Sequence, residues 1–316
     1  MAKGSTSKNS RSTWHLEGER CVLTHDSPEF PDLLKEIQNP PKKLYVLGNP
    51  KALVGGLAIV GARRATPYGK GCAKRFASRA AQRGICIISG GARGCDVEAH
   101  KAALEAGGQT VVFLGGGCDV PYPSQHAGLF ERIAKAGGAV VSEHAWDAPP
   151  LPQQFRSRNR LIAGLARATL IVEAGLPSGT FSTADEALAA GREVLVVPGA
   201  ITSANSKGAN RLLYQGATPV VDDESFDDVL FSIYGTLKQK SYVQKKAVSV
   251  VADSKNPLAA ILQAEPLGME QLYSIATELC KGAGNARNWL MENLVQGEKD
   301  GLFSRYPDGR WGPHVQ

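Results

Sequence analysis

The chain has 316 residues, 43% of them hydrophobic, with a formal net charge of +6, enough for one large α/β domain and a small appendage. No apolar run reaches bilayer-spanning length and no signal-peptide pattern is present, which predicts no membrane partner. The cysteines (Cys21, Cys72, Cys86, Cys95, Cys118, Cys280) lie scattered without a CxxC pair, which argues against a disulfide frame or zinc site and for a reducing, cytoplasmic setting.

Residues 1–18 are polar and Ser/Lys-rich and are expected to be disordered. Residues 19–50 form a mixed lead-in ending in an apolar strand at 44–47. Apolar strands then alternate with helical patterns, which predicts a mostly parallel sheet with helices on both faces, a Rossmann-like α/β domain over 19–235. Strands are expected at 57–60, 85–89, 110–114, 139–142, 169–173, 193–197 and 218–221. Helices are expected at 70–83, 96–106, 124–135, 160–166, 182–190, 210–214 and 225–233. The strands end in glycine, serine or an acid, so the functional rim should be the carboxyl edge of the sheet. Residues 236–256 hold five lysines against one aspartate without a period and read as a linker. Residues 257–316 predict helices at 257–263, 269–280 and 286–296, then a hairpin about Pro307-Asp308-Gly309, a winged-helix-like layout. This tail carries five basic and seven acidic residues, a net −2, so residues 1–256 carry +8. A polyanion should therefore bind the body, and the tail reads as a protein-contact module.

Four loops on the predicted rim carry the chemistry. Gly61-Ala62-Arg63 follows the first body strand, where a dinucleotide fold would place GxGxxG; that fingerprint is missing, and Arg63 puts a cation there instead. Ser89-Gly90-Gly91-Ala92-Arg93-Gly94-Cys95-Asp96 can form a backbone nest for phosphate, with Asp96 capping the next helix. His100, four residues beyond Asp96, reads as an oriented structural histidine, since no nucleophile accompanies it. The third stretch, Phe155-Arg156-Ser157-Arg158-Asn159-Arg160, places three arginines and an aromatic ring at the mouth of a predicted apolar helix. Cations there oppose the helix dipole unless an anion arrives, guanidinium forks suit phosphate, and Phe155 can stack on a base. The fourth, Ser178-Gly179-Thr180, offers hydroxyls and amides for another phosphate, and Lys207 with Asn210 and Arg211 presents more polar groups at a helix start. One mononucleotide needs one or two such loops; four along one edge suggest an oligonucleotide track.

These motifs, in order, resemble the DNA-processing protein A (DprA/Smf) family. The resemblance rests on Gly61-Ala62-Arg63, on Ser89–Asp96 with Ala99-His100, and on Tyr122-Pro123 and Ser142-Glu143. It continues through Phe155, Arg158-Asn159-Arg160, Ser178-Gly179-Thr180, Pro198-Gly199 and Lys207-Gly208-Ala209-Asn210. It covers roughly residues 20–223. It implies an extended Rossmann-like fold that binds single-stranded DNA without sequence preference, loads the RecA recombinase, protects DNA during natural transformation and forms a homodimer. By motif, Arg63 matches the arginine of the first glycine loop, Phe155 the base-contacting aromatic, and Arg158, Asn159 and Arg160 the family's RNR triplet. The expected DNA contacts are therefore Gly61, Arg63, Ser89, Gly90, Arg93, Gly94, Phe155, Arg158, Asn159, Arg160, Ser178, Gly179, Thr180, Lys207 and Asn210, with no catalytic residue, metal or cofactor. The chain departs from the family in having neutral Gln153 and Gln154 where a basic residue often precedes the phenylalanine, and in having too few residues before the body for the N-terminal helical module of many members.

The alternative is a nucleotide or nucleoside-phosphate hydrolase on a related Rossmann-like sheet. Ser178-Gly179-Thr180 loosely resembles the PGGxGTxxE loop of cytokinin-activating phosphoribohydrolases, but Glu186 falls too far along the chain to match its glutamate.

Overall fold

The computed structural model describes residues 16–235, 256–264, 266–279, 285–306 and 309–313. They belong to two units, one within residues 1–238 and one within 239–316. In the first unit the strands are β1 (Arg20–Thr24), β2 (Lys43–Gly48), β3 (Gly56–Val60), β4 (Ile87–Ser89), β5 (Thr110–Phe113), β6 (Ala139–Ser142), β7 (Ala166–Ile171), β8 (Glu193–Val196) and β9 (Thr218–Pro219). The helices are α1 (Asp32–Lys35), α2 (Pro67–Ala81), α3 (Cys95–Glu105), α4 (Ala127–Lys135), α5 (Pro152–Ser157), α6 (Asn159–Leu165), α7 (Thr180–Ala189), α8 (Lys207–Tyr214) and α9 (Asp223–Tyr234).

The strands form one sheet in the order β1-β2-β6-β5-β4-β3-β7-β8-β9. β2 runs antiparallel to both its neighbours, and every other pairing is parallel. Two-residue alternation sends side chains to opposite faces. Leu57, Ile59, Ile87, Leu170 and Leu195 pack with α2, α3 and α9, while Ala58, Val60, Ile88, Ile171 and Val196 pack with α6, α7 and α8. Val112, Leu114 and Val140 meet α4 through Phe130 and Ile133. A sheet buried on both faces needs apolar residues at both parities, which is why its strands read as near-continuous apolar runs. The chain crosses from β3 to β4 over one face and enters β7, on the other side of β3, from the opposite face. The resulting switch point opens a crevice outside the carboxyl ends of β3 and β7.

Three elements lie outside the sequence expectation. β1 pairs with β2 at the sheet edge, with Val22 half-exposed and Leu23 buried. The short α1 packs Leu34 against the core through α6. α5 occupies a stretch read as loop. β7 also starts three residues earlier than expected, because the chain passes from α6 into the strand with no intervening turn. The expected disorder of residues 1–18 lies mostly outside the described residues; of the remainder, Leu16 is buried against Leu47 and Ala134, and its carbonyl accepts from Arg20. The five described cysteines are free thiols, and no described helix is long and apolar enough to cross a membrane.

The second unit contains α10 (Ala259–Ala264), α11 (Met269–Leu279) and α12 (Ala286–Lys299), followed by the antiparallel pair β10 (Phe303–Arg305) and β11 (Trp311–Pro313). Leu258, Leu272, Leu290, Leu294, Phe303 and Trp311 form its core. The proposed linker at 236–256 and the Pro307-Asp308 turn fall almost wholly outside the described residues.

α2 and α9 are joined by a ladder of ion pairs. Asp227 accepts from Arg79 Nε and Nη2 and from Arg83 Nη2, each at 2.7 Å. Asp223 accepts from Arg75 at 2.6 Å and from Arg79 at 3.0 Å. The Arg83 and Asp227 side chains are 4% and 6% exposed, whereas Arg75 is 61% exposed. Removing one partner of a buried pair strands the other charge, while an exposed pair is screened. Asp227→Ala should therefore cost about 3 kcal/mol and Arg75→Ala about 0.5 kcal/mol in urea unfolding of the first unit.

Candidate functional site

The carboxyl edge is held by polar groups that the sequence does not advertise. At the end of β7, buried Glu173 accepts from the Thr66 amide at 2.8 Å and the Thr66 hydroxyl at 2.9 Å. Its carbonyl accepts from the Ala62 amide at 2.7 Å. Thr66 Oγ1 in turn caps α2 by accepting from Gly69 N. Glu173 thus sets the path of the Gly61–Thr66 loop. Its only sequence signal is an acid directly after an apolar strand.

The second loop is packed from beneath. Ser89 is buried, its hydroxyl donating to Ile59 O at 2.6 Å. Gly91 and Gly94 have φ of +66° and +85°, where side chains are disfavoured. A Cβ on Gly94 would also strike the Ala62 carbonyl, so the first two loops touch there. The structure corrects the role of Asp96. Its Oδ2 turns back to accept from Gly90 N at 3.2 Å and Ala92 N at 3.4 Å, instead of capping α3, whose N-cap is Gly94. Two amides of the anticipated phosphate nest are therefore already occupied by the chain's own carboxylate. Burial pushes the Asp96 carboxyl above its ordinary range, against the pull of the Arg158 charge and these amides.

His100 is fully buried. The Thr110 hydroxyl donates to Ile87 O at 2.7 Å, so it accepts from His100 Nδ1 at the same distance. Burial, then the charges of His126 and Arg158, drive the His100 pKa down to about 3, and the ring is neutral at physiological pH.

The arginine stretch differs most from expectation. Pro152 opens α5, with Gln154 Oε1 accepting from Leu151 N at 2.7 Å. Gln154 thus fastens the helix start at a position read as a missing cation. Arg156 lies in the last turn of α5, where the dipole favours a cation, and the expected dipole penalty is reversed for it. Arg158 stands between α5 and α6 and is 5% exposed. Its Nη1 donates to Gly90 O at 2.7 Å and to Phe113 O. Its Nε finds no partner among the described residues. Burial lowers its pKa to about 10, countered by Asp96, so it stays charged at neutral pH. Arg160 turns away: it forms a bidentate pair with Glu143 at 2.8 and 2.6 Å and donates to Asn39 O.

What remains gathers into two adjoining cavities. The first, about 370 Å³, lies in the crevice between β3 and β7 and is lined by Gly61, Arg63, Phe155, Arg158, Asn159, by Ser178 and Gly179 just before α7, and by the first turn of α7 from Thr180. The second, about 240 Å³, shares Arg63, Phe155 and Arg158 and adds Gly90 and Arg93. Exposed Arg63 approaches the Phe155 ring at 6.0 Å. The Phe155 ring also meets Tyr122, with ring centroids 5.2 Å apart and planes at 59°. Gly115 lies so close to Phe155 that a Cβ there would press on the ring. Of the expected contacts, Ser89, Gly94, Arg160, Lys207 and Asn210 line neither cavity. Lys207 is exposed at the start of α8, and Asn210 is bonded to both backbone groups of Gly199. Tyr122, Pro152, Ser182 and Thr183, which line the cavities, were not among the expected contacts.

Residues 21–232 match the family described as DNA recombination-mediator protein A. The chain is 39% identical to Protein Smf of Escherichia coli over 223 residues, covering 70% of this chain and 60% of that protein. It is 31% identical to Protein Smf of Synechocystis over 334 residues, covering 94% and 81%. Among solved structures it is similar to DNA processing protein A from Helicobacter pylori, described for its single-stranded DNA binding mode, with a TM-score of 0.61, 31% identity and coverage of 68% and 97%. The chain thus spans about 60% of the length of its Escherichia coli relative.

A Cβ on Gly90 would collide with the buried Arg158 guanidinium. Gly90→Ala should therefore destabilise the first unit by about 1–3 kcal/mol, the usual cost of overpacking, in urea unfolding.

Proposed function

Because the chain belongs to the DNA recombination-mediator protein A (DprA/Smf) family, we propose that it binds single-stranded DNA without sequence preference at the carboxyl edge of its sheet. The strand would then be passed to the RecA recombinase in transformation and recombination. The observation that carries this reading is the first cavity, where exposed Arg63, the ring of Phe155 and the N-terminal turn of α7 converge from three separate parts of the chain. A guanidinium and a helix N-terminus suit successive phosphates, and an aromatic ring suits any base, since every base has a π-face. Arg93, exposed on the rim of the second cavity, extends the cationic path. The relative described for single-strand binding supports the same ligand class. The family resemblance further supports a homodimer acting in the cytoplasm. We assign the C-terminal unit, whose residues 257–316 carry a net −2, to winged-helix-like protein contact.

A binding role fits the lining better than catalysis. Asp96 is the acid in the first cavity, and its Oδ2 already accepts from two backbone amides. Glu186 lies two turns along α7, outside that lining. Nothing in this role calls for a metal or cofactor.

Competition between single-stranded DNA, duplex DNA and mononucleotides at two salt concentrations tests the reading. Single strands should win, with steep salt dependence from released counterions. Arg63→Ala should weaken binding of all sequences alike and reduce the salt slope by about 1. Phe155→Ala should lose about 1–3 kcal/mol. Tight mononucleotide binding with turnover would instead identify a hydrolase.

A further inference from the structure

We infer that a separate groove, where β2 begins and β6 ends, holds the backbone of a single strand after it leaves the first cavity, with Lys42 and Lys43 taking its phosphates. The inference rests on the strand-binding reading and extends it to a second station. β2 runs antiparallel to β6, with Tyr45 opposite Ser142, so the first residues of β2 lie at the carboxyl end of β6. A cavity of about 650 Å³ opens there, lined by Lys42, Lys43, Tyr45, Glu143, His144 and Arg160 among others. It shares no lining residue with the two cavities around Phe155.

The charges in the groove are unequally committed. Glu143 and Arg160 form a bidentate pair and offset each other. Lys42 and Lys43 are exposed, and neither is paired with a described residue. Lysines beside a strand commonly guard a sheet border, but β1 already covers this side of β2, with Thr24 opposite Lys43. Two free cations are left facing one cavity. The segment that carries them is fixed from two sides: Arg160 Nε donates to Asn39 O at 2.9 Å, and His25 Nε2 donates to Pro41 O at 3.0 Å. Pro40 and Pro41 restrict it further, so little backbone freedom is lost when an anion binds. His144 lines the same groove, and its Nε2 has no partner among the described residues.

The route from the first cavity is short. Phe155, Arg156, Arg158 and Asn159 line that cavity, and Arg160 lines the groove. Between them lies the α5–α6 corner, where Arg160 Nη1 donates to Ser157 O at 2.8 Å and Arg156 is exposed. β3 and β6 are three positions apart in the sheet, about 14 Å at about 4.8 Å per spacing, a span that a few nucleotides bridge. A single strand can follow such a corner, whereas a duplex is too stiff to turn over it. Lysine contacts to phosphate carry no base information, so the groove adds affinity without sequence preference.

The test uses the full chain and fluorescent oligo(dT) of two lengths, about six and about sixteen nucleotides, with a hairpin duplex alongside, read by anisotropy. The longer strand should bind the native chain more tightly. Lys42→Gln with Lys43→Gln should weaken the longer strand about fivefold and lower its salt slope by about 1.4, at about 0.7 per phosphate contact on a single strand. The same pair should leave the shorter strand and the duplex unchanged. Lys42→Arg with Lys43→Arg keeps both charges and should bind as the native chain does. An equal loss at both lengths would show that the lysines act only through the general field and would overturn the groove. So would a loss confined to the duplex, an arginine pair as weak as the glutamine pair, or native affinity in the glutamine pair. If Arg63→Ala weakens both lengths while the glutamine pair weakens neither, the groove is wrong and strand binding stands. If none of these variants changes binding, strand binding at this edge falls as well.

Discussion

The buried guanidinium of Arg158 is the contact on which the functional edge depends. It reaches from the junction of α5 and α6 to the carbonyls that end β4 and β5. Those carbonyls belong to Gly90, which begins the glycine-rich loop, and Phe113, two residues before the glycine beneath Phe155. One side chain thus sets the height of the loop, the seat of the aromatic ring and the angle at which α5 leaves the sheet. A neutral residue there would leave two buried carbonyls without donors, a larger loss than one missing hydrogen bond. Asp96 provides the opposing charge and also holds the amides of the same loop. Most of these polar groups satisfy one another, with Arg158 Nε the exception among the described residues.

The sheet was legible because a strand buried on both faces must be apolar throughout, and those runs stand out at 57–60, 139–142 and 193–197. The position of the edge followed from what ends each strand. Phe155 and Arg63 could be picked out as well, since an aromatic and an arginine among turn residues have little structural reason to be there. Side-chain partners at long sequence separation were not legible. Arg160 finds Glu143 on another element, and Asn210 closes on Gly199. Both looked available in the sequence because nothing local used them. α5 was hidden by its prolines: a proline at a helix start reads like a loop until the residues after it show a cap. Glu173 is a similar case, a lone acid whose two acceptor oxygens serve a threonine 107 residues earlier.

Counting cations overstates the attraction this edge exerts. Arg158 and Arg160 have their charge offset or paired inside the fold, and Arg75, Arg79 and Arg83 serve the α2–α9 ladder. Exposed Arg63, Arg93, Arg156 and Lys207 carry the outward field. A few cations over a rigid, partly apolar cleft make a surface that depends on ring contact as much as on charge, and screening by salt weakens only the second.

The last strand has a consequence for how copies of the molecule can meet. β9 is two residues long and ends in Pro219, whose ring nitrogen carries no hydrogen. A long, regular border strand invites another chain to continue the ladder, the route by which sheet proteins polymerise. Here the border is too short to template a neighbour, and half of it cannot donate. On that side the sheet is closed to growth, and any association there must go through helix surfaces, whose shape and charge can be matched to one partner and withheld from others.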